Sequence, residues 1–129
     1  MPENPWVTLR QPEPGREYLA LLTELPLKFS GLPKFFASVG PINEQLKQTS
    51  GLMGYSMLAR PLEMKFWTLS VWESDSSLTW FVRERPHSEV MTALRGKMGP
   101  TRFIRWKMMA SQYPPSWKDA LHRSGKETR

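Results

Sequence analysis

A chain of 129 residues with 40% hydrophobic and 12% aromatic residues is the size of one ordinary domain and can bury a core, which excludes a disordered chain or a coiled coil. The absence of cysteine excludes disulfides, thiolate metal sites and cysteine nucleophiles, and fits a reducing compartment. The formal charge of +6 is scattered apart from a basic tail from Lys118 to Arg129, without the stripe of a nucleic-acid binder, so it is read as a solvated surface and no nucleic-acid partner is expected.

The N-terminal Met-Pro-Glu-Asn-Pro-Trp has no basic region followed by an apolar core, and no apolar run approaches membrane-spanning length. The expectation is therefore a cytosolic protein with no membrane span. Pro2, Pro5, Pro12, Pro14 and Gly15 predict an extended arm over residues 1–16 without regular structure, with Trp6, Val7 and Leu9 apolar enough to pack on something. Tyr18 to Leu25 reads as a first strand, and its continuous apolar character predicts burial on both faces.

Ser30 is the expected N-cap of a helix whose stripe runs through Leu32, Phe35, Phe36, Val39, Ile42 and Leu46 at spacings of three and four. Gly40-Pro41 predicts a kink or two helices end to end. Leu52 to Ala59 and Met64 to Trp72 read as strands, the latter rich in β-branched and aromatic residues. A second helix starts near Ser74 or Asp75, and a further helical segment follows Pro86 to about Met98, ended by Gly99-Pro100. Thr101 to Met109 is the last strand. Residues 111–129 form an extension in which Ser116 caps a short helix with Trp117, Ala120 and Leu121 on one face.

The order β-α-β-β-α-β over residues 17–110 is the ferredoxin-like plan, an α+β class with four antiparallel strands and two helices on one face. Phe66, Thr68, Ser70 and Trp72 share one face of their strand; Trp67, Leu69 and Val71 share the other. Neither face is polar. Helices on one side would leave a broad aromatic and methionine-rich surface in water, so the expectation is a homodimer packed sheet to sheet.

Thr68-Leu69-Ser70-Val71-Trp72-Glu73-Ser74, then Leu78, Phe81-Val82, Pro86-His87 and Phe103-Ile104-Arg105-Trp106, resemble the antibiotic-biosynthesis-monooxygenase-like superfamily, nearest to its uncharacterised spheroidene-monooxygenase-like members. Ile42-Asn43 followed by Ser50-Gly51-Leu52 fits the same branch. The resemblance implies a dimeric α/β barrel with a pocket between each sheet and its helices. Relatives of this kind include cofactor-free oxygenases, haem-degrading enzymes, a haem-containing carotenoid oxygenase and decarboxylases, so function does not follow from the fold.

Several residues are candidates for a site. His87 shares a helical face with Met91 and Leu94; it reads as a general base or axial haem ligand, or, as a lone histidine more often is, as a packed helix-start residue. A single histidine is not a zinc site, and no metal is expected. Trp72 at a strand end and Trp80 on a helix are the expected pocket walls, with Met91 beside them. The resemblance suggests Asn43 as a polar orienter, but in such relatives the asparagine sits on the first strand, where this chain has Thr23 and Glu24. Arg102, Arg105 and Lys107 read as a basic edge before they read as a carboxylate or propionate site, since Arg102 and Arg105 lie on opposite faces. The resulting expectation is a monooxygenase-like protein binding an apolar aromatic or polyene-like molecule. It has no cofactor or, alternatively, haem ligated by His87. The alternative function is a non-catalytic small-molecule-binding dimer.

Overall fold

The structure is a computed structural model that describes residues 5–83, 91–92, 96 and 101–125. Its centre is an antiparallel sheet of five strands in the order β1-β3-β4-β2-β5: β1 Val7–Thr8, β2 Glu17–Pro26, β3 Leu52–Arg60, β4 Lys65–Trp72 and β5 Arg102–Met109. Among the described residues the longer helices are α1 Leu32–Gln48, α2 Asp75–Arg83 and α3 Trp117–Arg123. This is the α+β ferredoxin-like plan, with β2 and β4 in the middle and one added strand at the edge.

The added strand corrects one expectation. The N-terminal arm is not without regular structure: Val7 and Thr8 pair with Tyr55 and Gly54 of β3. One expectation for α1 also changes, and of the two alternatives at Gly40-Pro41 the single helix holds. Gly31, not Ser30, is its N-cap, after a 3-10 turn over Phe29–Gly31, and the helix runs as one element with Pro41 inside it. The stripe that stays in phase through Pro41 packs Phe35, Ile42 and Leu46 toward the sheet, and that burial outweighs the one missing amide donor. The other boundaries among the described residues fall within a residue or two of those predicted, and the segment expected from Pro86 to Met98 lies mostly outside them. Ser116 caps α3 by accepting a hydrogen bond from the Asp119 amide at 3.0 Å.

Strand alternation sorts the side chains into two layers. Under α1 and α2 lie Leu21 and Leu25 of β2, Tyr55 and Met57 of β3, and Phe66 and Trp72 of β4. On the opposite face lie Tyr18, Ala20 and Leu22, Leu58, and Trp67, Leu69 and Val71. A β-bulge between Leu52 and Gly54 shifts the alternation of β3, so that Leu52 joins the helix side and Met53 the other.

The second face is closed by the chain itself. Trp117, Ala120 and Leu121 of α3 pack on Leu22, Leu58, Trp67 and Leu69. Trp6 of the arm and Tyr113 of the C-terminal extension cover Tyr18, Ala20, Met53 and Val71. The Trp6 indole N–H donates to Tyr113 Oη at 2.8 Å, with the rings edge to face. The expectation of a homodimer rested on this face being open to water. Its closure within one chain removes that ground, because the two extensions supply the apolar cover a second copy was expected to give. Burial of β2 on both faces, expected from its continuous apolar run, has the same origin.

Candidate functional site

Between the sheet and the helices lies a cavity of about 470 Å³, within the size range of small-molecule sites. The strand register lays out its floor in rows. Met57, Thr68, Thr23 and Phe103 stand side by side across β3, β4, β2 and β5; Tyr55, Ser70, Leu21 and Arg105 form the next row. α1 contributes Phe35, Ser38, Ile42, Asn43 and Leu46, and α2 contributes Leu78, Phe81 and Val82. The cavity exists because Thr68, Thr23 and Ser70 are short: large residues here would fill the space as Phe66 and Trp72 do at either end.

The walls are mostly apolar, with a few hydroxyl and amide groups. Ser70 Oγ accepts from the indole N–H of buried Trp72 at 2.8 Å, which fixes the Trp72 ring as one wall, in contact with Phe81 at a centroid distance of 5.5 Å. Ser38 Oγ donates back to the Lys34 carbonyl at 2.7 Å. Arg105 is the one lining residue with a formal charge among the described residues, and its Nη1 donates to Asp75 Oδ1 at 3.0 Å.

The sequence-predicted site residues separate into three groups. Trp72, Asn43 and Met91 line the cavity together. Trp80 does not: it is 54% exposed and borders a shallow depression with Ser50, Ser76 and Ser77. The reason is helical phase, since Leu78 and Phe81 turn inward and Trp80 therefore points away from the sheet. His87 lies outside the described residues, as does most of the segment following Pro86.

Thr23, Thr68, Ser70 and Tyr55 were not singled out as pocket residues from sequence, and Arg105 was read as part of a basic edge before a carboxylate or propionate site. A signal did exist: Thr68 and Ser70 are short polar residues on one face of an otherwise aromatic strand, a pattern that leaves room above the sheet. Arg102 is on the other face, as its odd spacing from Arg105 requires. Its Nη1 lies 3.4 Å from Glu24 Oε1, whose side chain is only 5% exposed, and its Nη2 donates to the Ser124 carbonyl at 3.1 Å. It ties β5 and α3 together and takes no part in the cavity.

Cofactor fit can be judged from the donors. No group of three or more His, Asp or Glu side chains that could hold a metal ion occurs among the described residues. For haem, the described lining offers no imidazole and no thiolate, only Tyr55 and Met91 as axial donors and Arg105 as a single cation for two propionates. These residues do not fit haem; His87 is the side chain a haem site would need. No helix among the described residues is long and apolar enough to cross a membrane.

No family model matches the sequence, and no curated protein matches it. Solved structures do match. The chain is similar to a candidate monooxygenase from Lactobacillus acidophilus NCFM (TM-score 0.62, 12% identity, 81% of this chain and 51% of that one). It is similar also to one from Fusobacterium nucleatum (0.64, 12%, 76% and 45%) and to a candidate antibiotic biosynthesis monooxygenase from Nitrosomonas europaea (0.63, 13%, 81% and 98%). The chain spans about half the length of the first two. The chain thus shares its fold with these structures, while the narrower likeness to spheroidene-monooxygenase-like members has no sequence match behind it.

Proposed function

We propose that this protein is monooxygenase-like and binds an apolar, aromatic or polyene-like small molecule in the cavity between the sheet and α1 and α2. The observation that carries this reading is the cavity itself. Its volume suits a ligand of drug size, Trp72, Phe35 and Phe81 offer flat walls, and Thr23, Thr68, Ser70 and Asn43 offer a few polar points for orientation.

In the catalytic form of the reading, His87 serves as general base and Trp72, Met91 and Asn43 hold the substrate. In the alternative form the same cavity binds without turnover. The fold supports both forms equally, so the test must separate them. Titration of the protein with a neutral polyene, followed by fluorescence, should saturate, and Thr68→Phe, which fills the floor, should abolish it. Oxygen uptake on adding the bound compound, lost in His87→Ala, marks the enzyme; saturable binding without uptake marks the binder. Addition of haemin to the same samples checks the haem reading: a sharp Soret band that moves in His87→Ala would make haem the occupant instead. Failure of every probe to bind would overturn the cavity reading.

A further inference from the structure

The cavity is electrically one-sided. Its walls at the Leu25, Phe35 and Met57 end are apolar, and the only formal charge among its described lining residues is the Arg105 guanidinium at the opposite end. No acidic side chain is among its described lining residues. Phe103 is 60% exposed and Val82 is 45% exposed, so the Arg105 end is where the cavity meets solvent.

Arg105 is held there without being used up. Among the described residues its one hydrogen bond goes to Asp75 Oδ1 at 3.0 Å, and the two side chains are 53% and 74% exposed. An ion pair this open contributes little and exchanges readily. A guanidinium carries five N–H donors in a planar fork, so most of its capacity is left for a second acceptor of carboxylate shape. An anion seated at this position would keep part of its hydration and would avoid the cost of burying a charge, while its skeleton lies in the apolar interior.

We infer that the occupant of the cavity is an amphiphile: an apolar skeleton ending in a carboxylate that binds Arg105 at the mouth. The inference rests on the cavity-binding reading above and names the class of ligand that reading leaves open. Arg105 is then the specificity-determining residue, and Asp75 is a resident competitor for it. The apolar walls give affinity to any skeleton of suitable size; the arginine chooses among the ends.

The test uses a matched pair of probes, the polyene fatty acid cis-parinaric acid and its methyl ester, titrated by fluorescence into the full chain. The wild type should bind the acid roughly tenfold more tightly than the ester, the size of one partly exposed charge-assisted contact. Arg105→Gln should bring the acid to the level of the ester and leave the ester unchanged. Arg105→Lys should keep part of the preference, and Asp75→Asn should raise affinity for the acid alone. Equal binding of acid and ester by the wild type, or an acid affinity that survives Arg105→Gln, overturns the inference while ester binding upholds the apolar cavity. Binding of neither probe overturns the cavity reading and the inference with it. Unchanged ester affinity in each variant serves as the folding control.

Discussion

Three buried tryptophans show how differently one residue type can be used. Trp72 and Trp117 each donate the indole N–H to a serine, Ser70 Oγ at 2.8 Å and Ser56 Oγ at 3.2 Å, whereas the buried Trp67 Nε1 has no hydrogen-bond partner among the described residues. Replacing Trp67 by Phe therefore removes an unmet donor along with some volume, and the two effects oppose each other. Trp72→Phe instead strips Ser70 of its donor and opens the cavity wall. We expect Trp67→Phe to cost about 1 kcal/mol or less and Trp72→Phe about 2 kcal/mol, read from chemical denaturation at matched m-values. Gly54 is a second critical position. A Cβ there would lie 2.7 Å from Trp6 Nε1 and from the Val7 carbonyl oxygen and would run into Tyr113 Oη. Gly54→Ala should destabilise by about 2–3 kcal/mol, as overpacking against backbone does, and a melting temperature equal to the wild type's would refute the close approach.

At the level of elements, much of the fold was legible because periodicity is a local signal. The strands Glu17–Pro26, Leu52–Arg60 and Lys65–Trp72 were marked by apolar runs between turn residues, and α3 by the spacing of Trp117, Ala120 and Leu121. Where these elements land was not legible. The side of the sheet on which α3 rests depends on a bond between Trp117 and Ser56, 61 residues apart, and no short-range pattern encodes such a contact. The bulge at Met53 is likewise invisible to an alternation rule that assumes an unbroken period of two. The cavity was half legible: Trp72 was named as a large aromatic at a strand end, Met91 by its helical face and Asn43 through the resemblance, while the threonines and serine that make the space were passed over because small residues draw no notice. Ser116→Ala should weaken α3 by about 1 kcal/mol through loss of its cap, seen as faster amide exchange in Trp117–Arg123 ahead of the rest of the chain. Protection unchanged across the helix would mean that the cap contributes nothing.

At the level of the whole molecule, the two extensions turn a sheet with helices on one side into a three-layer structure. Residues 111–125 supply the outer layer together with Trp6, so their removal would expose Leu22, Leu58, Trp67 and Leu69. A continuous apolar surface of this kind drives association. A chain shortened at Ala110 should form larger assemblies than the full chain or precipitate, and light scattering after size exclusion measures this directly. If the shortened chain kept the mass and stability of the full one, the outer layer would be dispensable. The same experiment bears on the expected homodimer: α3 occupies part of the face that sheet-to-sheet pairing would use, and the mass of the full chain tests whether it pairs.

The bond between Trp6 and Tyr113 spans 107 positions, and that separation has a consequence in time. Loop closure over such a distance is among the slower steps open to a chain, and synthesis from the N-terminus makes the partner of Trp6 one of the later residues to emerge. Strands β2, β3 and β4 can pair and α1 can dock well before that, so the aromatic outer face is complete before anything is available to cover it. For that interval the nascent protein carries a surface that its finished form hides, and whatever protects it then must come from outside the chain.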